Sequence, residues 1–282
     1  MTDTSFDGRD IPHWETLLTL ANGYMGLRGS PEMSPGIGDP GFYVAGIFDE
    51  TGRFTDEIVN LPTPVGLEAN MDGFKFDLAK GRVLECRRSL DMRQGVLFTE
   101  MVYEDAIRRR FRWESVRCVH AQEKHLIIIK GSMTPLDHSG DLQLKSTIDA
   151  WLPMHGSSSG VNHFQSVKAR DLGDLGIGLE VSMKHYDLQV AQVSKLTLKG
   201  AGRRSVSVDD DRVGESLSAA MKQGKAVQFE KRIVCVTSRD GEDPAGMAAA
   251  QLERLSKCSS GSLLRSHAKA WEKRWETADV VI

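Results

Sequence analysis

A glycine-rich segment, residues 22–29, is the densest motif in the sequence, and it contains one arginine. Its glycines recur at every third position, as G-x-x-G-x-x-G, and Pro31 follows closely. A dinucleotide-binding loop needs G-x-G-x-x-G between a strand and a helix. The spacing here instead predicts a tight loop whose glycines allow positive φ or close backbone approach, with a guanidinium that can bind carboxylate or sugar oxygens. The candidate domain-interface or substrate-loop residues are Asn22, Gly23, Gly26, Arg28 and Gly29.

Histidines and cysteines are the side chains that could hold a metal ion, but their spacing does not fit one. Cys118, His120 and His125 lie around a predicted strand junction, and His163 follows a glycine-serine segment at 156–160. None of them matches H-E-x-x-H or paired C-x-x-C spacing. We therefore expect structural histidines, no metal and no cofactor.

Carboxylates are numerous, yet the sequence defines no catalytic pair. Glycosidases need two carboxyl groups at a set separation across the sugar, whereas Glu57, Asp91 and Asp149 are interpreted as loop or salt-bridge residues. No G-x-S-x-G nucleophile motif occurs either. The sequence accordingly predicts no catalytic residue in this chain.

Composition narrows the class of protein. A net charge of -3, with 40% hydrophobic and 27% charged residues, is typical of a globular domain and lacks the basic stripe of a nucleic-acid binder. The longest apolar run, residues 126–129, is far too short to span a membrane, and the polar start shows no signal peptide. Four dispersed cysteines are typical of reduced thiols. The expectation is a cytoplasmic protein without nucleic-acid or membrane partners.

Strand-like alternation separated by turn residues dominates residues 42–236. Val96, Phe98 and their alternate neighbours face one way, while Leu97 and its alternate neighbours face the other. After a turn at 104–105, Ile107, Phe111 and Trp113 are expected to share one face. Short strands without intervening helices predict a mainly β fold, a large antiparallel β-sandwich over residues 1–240.

Residues 241–282 predict a helical linker. Asp243-Pro244 is a helix-start signal, so helices are expected at 245–257 and 262–277, with a break at 259–261. Leu264, His267, Trp271 and Trp275 form one stripe on the second helix. This stripe predicts docking against a sheet with Trp271 largely buried, and a cost of about 3–5 kcal/mol for Trp271→Ala. The apolar segment 279–282 suggests that the polypeptide continues.

Several motifs, in this order along the chain, resemble glycoside hydrolase family 65, which includes maltose, trehalose and kojibiose phosphorylases. Residues 15–29 read ETLLTLANGYMGLRG, residues 41–48 read GFYVAGIF, residues 59–62 read VNLP, and residues 88–95 read RSLDMRQG. His267, Trp271 and Trp275 resemble the helical linker of that family. Residues 149–153 depart from the family's "DG.V.N" pattern.

The resemblance implies an accessory role in an enzyme acting on α-linked glucose disaccharides. Family members carry the catalytic Glu and the phosphate site on an (α/α)₆ barrel after the linker, so no catalytic residue is carried over to this chain. The implied fold is a galactose mutarotase-like super-sandwich that supports the barrel, helps subunits pair as a homodimer and can lend a loop near the substrate pocket. The implied partner is that barrel, in the same polypeptide or a companion chain, with carbohydrate bound at most weakly. We expect Arg28 to lie near the surface formed with the C-terminal linker.

Two alternatives stay open at this point. Asn162-His163-Phe164 is similar to an "NH.YF" motif of the mutarotase superfamily, which favours a free-standing aldose epimerase. A non-catalytic carbohydrate-binding module would need exposed aromatic platforms, whereas Trp113, Trp271 and Trp275 lie on faces predicted to be buried.

Overall fold

The fold is given by a computed structural model that describes residues 1–4, 6, 9–34, 37–51, 55–151 and 161–278. The glycine-serine segment 156–160 and the terminal residues 279–282 lie outside these ranges. Over the described ranges the chain forms two antiparallel sheets that enclose one core, with two helices near its C-terminal end. This confirms the mainly β sandwich with C-terminal helices.

The larger sheet contains nine of the described strands, all paired antiparallel. In spatial order they are β1 (Thr2–Asp3), β9 (Arg82–Asp91), β10 (Val96–Glu104), β11 (Arg110–Val119), β12 (Leu126–Pro135), β19 (Val227–Thr237), β16 (Gln189–Leu198), β15 (Ile177–Met183) and β14 (Phe164–Asp171). Four of its strands, β9 to β12, are a meander of consecutive hairpins.

The smaller sheet packs on the inner face of the larger one. Among the described residues it contains β17 (Arg204–Val208), β18 (Arg212–Met221), β13 (Gly140–Asp149), β7 (Leu67–Met71) and β8 (Phe74–Lys75). Two short sheets lie beside the sandwich, one of β2 (Leu20–Ala21), β3 (Met25–Leu27) and β4 (Phe42–Val44), the other of β5 (Phe48–Glu50) and β6 (Asp56–Ile58).

Alternating apolar residues form the core between the two sheets. Leu97, Met101 and Tyr103 on β10 are buried in it, whereas Phe98 on the opposite face is 38% exposed. Such alternation is expected of a strand with one buried face. The prediction for Ile107 was wrong, because this residue lies in the turn between β10 and β11 and is 51% exposed.

The first C-terminal helix, α2 (Pro244–Ser256), covers the outer face of the larger sheet; α1 (Ile11–Leu17) lies near the other end of the chain. Ala248, Leu252 and Leu255 of α2 are fully buried in a second apolar cluster, whose sheet members include Val193 and Val234. The Asp243 carboxylate caps α2 by accepting the Gly246 N–H at 2.9 Å. Proline at its first position is compatible with a helix start.

The last helix, α3 (Ser260–Ala278), begins two residues earlier than the sequence predicted. The Ser259 hydroxyl accepts the Ser262 N–H at 3.1 Å, which makes Ser259 the N-cap and places Gly261 in the first turn. The buried side chains of α3 are Leu263 and His267, while the predicted Leu264 is half-buried. No helix within the described ranges is long and apolar enough to cross a membrane.

Candidate functional site

The glycine-rich segment begins with the turn between β2 and β3 and continues through β3, and Asn22 fixes the turn. The Asn22 side-chain oxygen accepts the N–H groups of Tyr24 and Met25 at 2.9 and 3.0 Å. Its amide nitrogen donates to the carbonyls of His120 and Lys124 at 2.8 and 2.9 Å. Asn22 therefore joins this segment to residues 120–125, which connect β11 to β12 and are called the β11–β12 turn below.

The three glycines of the segment have different surroundings. Gly23 has φ +93°, a conformation that favours glycine, and a Cβ on Gly29 would lie 2.6 Å from the Leu18 Cβ. A Cβ on Gly26 would have no atom of the described chain within 4 Å, and the φ of Gly26 is not positive. Nothing seen within this domain therefore requires glycine at position 26.

The side chain of Arg28 lies against α1 and not against the C-terminal helices. Its Nη2 donates to the Pro12 carbonyl at 2.9 Å and lies 3.7 Å from the Glu15 carboxylate. Burial raises the pKa of Glu15. The structure therefore differs from the expectation that Arg28 lies near the linker. The reason is that α1 offers the Pro12 carbonyl and the Glu15 carboxylate close to the end of β3.

A buried ion pair lies beneath the segment, and the sequence analysis missed it. Arg117 and Glu32 are both fully buried, with 2.6 Å between Nη2 and Oε1, and Arg117 also donates to the Ser30 carbonyl at 2.6 Å. A second buried arginine, Arg88, donates to the Gly29 carbonyl. Both arginines occupy inward positions of alternating strands, which is the signal that could have identified them.

Asp240 connects the same region to the start of the helical linker. Its carboxylate accepts the Tyr24 hydroxyl at 2.5 Å and lies 2.9 Å from the Lys124 amine. It also lies 3.2 Å from His125 Nε2, and the other ring nitrogen of His125 lies 3.0 Å from Gln251 of α2. Burial opposes ionisation of Asp240, but the hydrogen bonds from Tyr24 and Lys124 outweigh it and hold the pKa of this carboxyl well below its ordinary value.

The linker stripe packs against two turns of the larger sheet. His267 contacts both the β11–β12 turn and the turn between β9 and β10, residues 92–95. Trp275 donates its indole N–H to the Met92 carbonyl at 3.0 Å. Trp271 lies against Gly95 with the Arg274 guanidinium 5.0 Å from its ring centre. Trp271 is partly buried, and it lies on the β9–β10 turn at the edge of the larger sheet.

These contacts bring four separate parts of the sequence together. We use the name turn end for the surface formed by residues 22–26, the β9–β10 turn, the β11–β12 turn and α3. Of the five candidates, Asn22, Gly23 and Gly26 belong to it, whereas Arg28 and Gly29 pack on α1. Its segments are joined mainly by hydrogen bonds between side chains and backbone groups.

His163, the residue behind the epimerase alternative, is held by two carboxylates. Its Nδ1 lies 3.0 Å from Asp49 and its Nε2 lies 2.6 Å from Glu57. Burial disfavours ionised Asp49, but hydrogen bonds from His163 and His185 outweigh it and lower the pKa of this carboxyl. Both ring nitrogens are thus engaged with carboxylates of the protein.

We also searched the part of the chain that the structure describes for a candidate metal-binding site. No group of three or more His, Cys, Asp or Glu side chains is placed there to hold a metal ion.

The architecture defines the class: a β-sandwich domain with two helices docked along its outer face and one end. The profile "Glycosyl hydrolase family 65, N-terminal domain" matches residues 1–274, and this chain belongs to that family. The resemblance seen in the sequence is therefore confirmed.

Curated relatives are phosphorylases. The chain is similar to the kojibiose phosphorylase of Thermoanaerobacter brockii, with 28% identity over 286 residues that cover 96% of this chain and 37% of that protein. It is also similar to the α,α-trehalose phosphorylase of the same organism, with 24% identity and coverage of 95% and 38%. A solved structure assigned as a kojibiose phosphorylase from the human microbiome superposes with a TM-score of 0.87 at 17% identity, covering 100% of this chain and 38% of that one. The chain thus spans less than two-fifths of the length of these relatives.

Proposed function

We propose that this chain is the supporting N-terminal domain of a cytoplasmic phosphorylase that acts on an α-linked glucose disaccharide, and that it is not catalytic alone. The support is the match to the N-terminal domain of the family over residues 1–274, together with relatives named as phosphorylases. In this proposal the acid group and the phosphate site belong to a helical barrel, in the same polypeptide or in a companion chain.

The observation that carries the supporting role is the turn end. There α3 is bound to two turns of the sandwich by His267 and Trp275, and the β11–β12 turn is bound in turn by Asn22. A helix held at several points along its length has a fixed direction, so whatever adjoins it is positioned relative to the sandwich.

Gly26 indicates where the barrel docks in this proposal. It lies on β3 within the turn end, and a Cβ there would point into open space. Glycine in a strand costs stability and often marks the close approach of another backbone. The barrel would therefore contact the domain over β3. Pairing of two subunits through this domain rests on the family resemblance alone.

An enzyme assay tests the proposal. The purified chain, incubated with kojibiose, trehalose or maltose and phosphate, should release no glucose 1-phosphate above the buffer rate, since no acid group and phosphate site meet in it. The Thermoanaerobacter brockii kojibiose phosphorylase serves as the positive control. Release that follows the protein through purification would contradict the proposal.

The epimerase alternative has its own readout in the same samples. Mutarotation of glucose and galactose, followed by polarimetry, should stay at the buffer rate. Acceleration by the chain that disappears in His163→Ala would instead support an aldose epimerase.

A further inference from the structure

Two fully buried histidines, His120 and His267, attach α3 to the sandwich. The Ala121 N–H donates to His267 Nδ1 at 3.1 Å, so the proton of this ring is on Nε2, which donates to the Gly95 carbonyl at 3.1 Å. One acceptor on the β9–β10 turn and one donor on the β11–β12 turn are thus satisfied by a single neutral imidazole.

His120 makes the complementary contact from the β11–β12 turn. Its Nδ1 accepts the N–H groups of Gln122 and Glu123 at 3.2 and 2.9 Å, and its Nε2 donates to the Leu263 carbonyl at 2.9 Å. The two rings lie 5.4 Å apart, centre to centre. Each ring has one nitrogen that must accept and one that must donate, which only the neutral form provides.

We propose that His120 and His267 form an acid-sensitive latch: protonation of the pair releases α3 from the turn end while the sandwich stays folded. A second proton on either ring would place an N–H against the backbone N–H that it now accepts, and would leave that donor buried without a partner. Two imidazolium groups at this separation would also repel each other.

The charged groups around the latch favour the neutral form of His267. Burial, with smaller contributions from His120 and Arg274 of α3, lowers its pKa to about 4, although the hydrogen bonds to the carbonyls of Gly95 and Gln94 act in the opposite direction. Burial likewise lowers the pKa of His120, against the Leu263 carbonyl and Glu123. The Glu123 carboxylate is itself paired with Arg254 of α2 at 2.6 Å.

The direction of the pH effect follows from these shifts. A histidine in released α3 has its ordinary pKa near 6.5, so the released form binds a proton that the docked form does not between about pH 6.5 and 4. Docking is therefore fully stable above this window and weakens as the pH falls through it. For His267 alone, the docking equilibrium should weaken roughly 50-fold between pH 7 and pH 4.5.

Release is expected to be local. The outer apolar cluster holds α2 through three fully buried side chains, those of Ala248, Leu252 and Leu255. From α3 it receives only Leu263, which is buried, and Leu264, which is half-buried. The rest of the contact that α3 makes with the turns consists of hydrogen bonds and two half-buried indoles. Acid should accordingly loosen α3 before α2 or the strands.

Hydrogen exchange with mass spectrometry tests the latch on the whole 282-residue chain at pH 7 and pH 4.5, with rates corrected for intrinsic exchange. The protection factors of the α3 amides should fall roughly 50-fold from pH 7 to pH 4.5, while those of β11, β12 and α2 stay the same. Equal protection of α3 at both values, or loss in α3 and the strands together, would overturn the proposal.

Variants separate protonation of the latch from general acid effects. His267→Gln keeps a neutral donor and acceptor that cannot take a proton, so the pH dependence of α3 should shrink; an undiminished dependence would count against the latch. His13→Gln, at an exposed position of α1, is the matched control and should behave as the parent does. In case His267→Gln does not fold, NMR titration of the imidazoles in the parent chain gives a second readout: His267 titrating near 6.5 would overturn the proposal.

Discussion

Buried charge beneath the glycine segment shows how single residues set the stability of this end of the molecule. Arg117 and Glu32 are 0% and 1% exposed, and the guanidinium also binds the Ser30 carbonyl. Removing water from two charges is costly, and their close contact recovers that cost only while both are present. The pair therefore stabilises the fold only while both residues are present, and either residue without the other destabilises it.

Substitution of Arg117 tests this dependence. Arg117→Met should lower the free energy of unfolding by about 3–5 kcal/mol, because the buried Glu32 carboxylate loses its ion-pair partner. The double variant Arg117→Met/Glu32→Leu should recover most of that loss. Urea melts followed by circular dichroism measure both, and a double variant less stable than the single one would contradict the account.

The backbone conformation of the glycines was predictable from their spacing, whereas the buried charges were not. The G-x-x-G-x-x-G spacing predicted a tight loop, and Gly23 and Gly29 do serve a turn and a close approach. Arg117 has the alternation of an inward residue, but a charged side chain is normally expected on the solvent face. Only its partner Glu32, from a distant segment, makes the inward position tolerable, and sequence spacing does not reveal such a partner.

At the scale of elements, α3 depends on its contacts, since an isolated helix of its length is marginal in water. Its apolar stripe was predictable from the i, i+3, i+7 and i+11 spacing. The surface it meets was predictable only in part: Leu264 packs on the outer apolar cluster of the larger sheet, whereas His267 and Trp275 bind two turns. Trp271 lies on one of these turns and keeps part of its surface exposed.

Truncation of Trp271 should therefore cost less than the value expected for a core tryptophan. We expect about 2 kcal/mol for Trp271→Ala, below the range of fully buried aromatic residues. Urea melts measured by circular dichroism provide the test, with the exposed Lys269→Ala on the same helix as the control. A loss as large as 5 kcal/mol, or none at all, would show that the packing of the helix differs from that described.

Two glycines of the glycine-rich segment, Gly26 on β3 and Gly29 beyond its end, offer a contrast. Gly26→Val should leave the Tm of the chain unchanged or slightly raised, because its Cβ points into open space and strands favour β-branched residues. Gly29→Ala should lower the Tm by several degrees, because the new Cβ would lie 2.6 Å from that of Leu18. Differential scanning calorimetry distinguishes the two, and a large loss in Gly26→Val would mean that this glycine serves the domain itself.

At the scale of the whole molecule, the sandwich forms the body of the domain, and the turn end fixes the direction of α3 relative to it. Short alternating strands predicted the sandwich, and the ordered motifs predicted the family, because both signals are local in sequence. The assembly of the turn end was not predictable, since Asn22, His120 and His267 are far apart in the chain. Their side chains bind backbone groups, which leave no residue-specific signal in the sequence.

Domain exchange tests the central claim, that this chain is the supporting domain of a phosphorylase, most directly. In a chimera, the chain would replace the matched N-terminal region of the Thermoanaerobacter brockii kojibiose phosphorylase, joined after α3. The rate of glucose 1-phosphate release from kojibiose and phosphate is the measurement. The account predicts release by the chimera and none by the chain alone. A folded, soluble chimera without activity, or release by the chain alone, would contradict it.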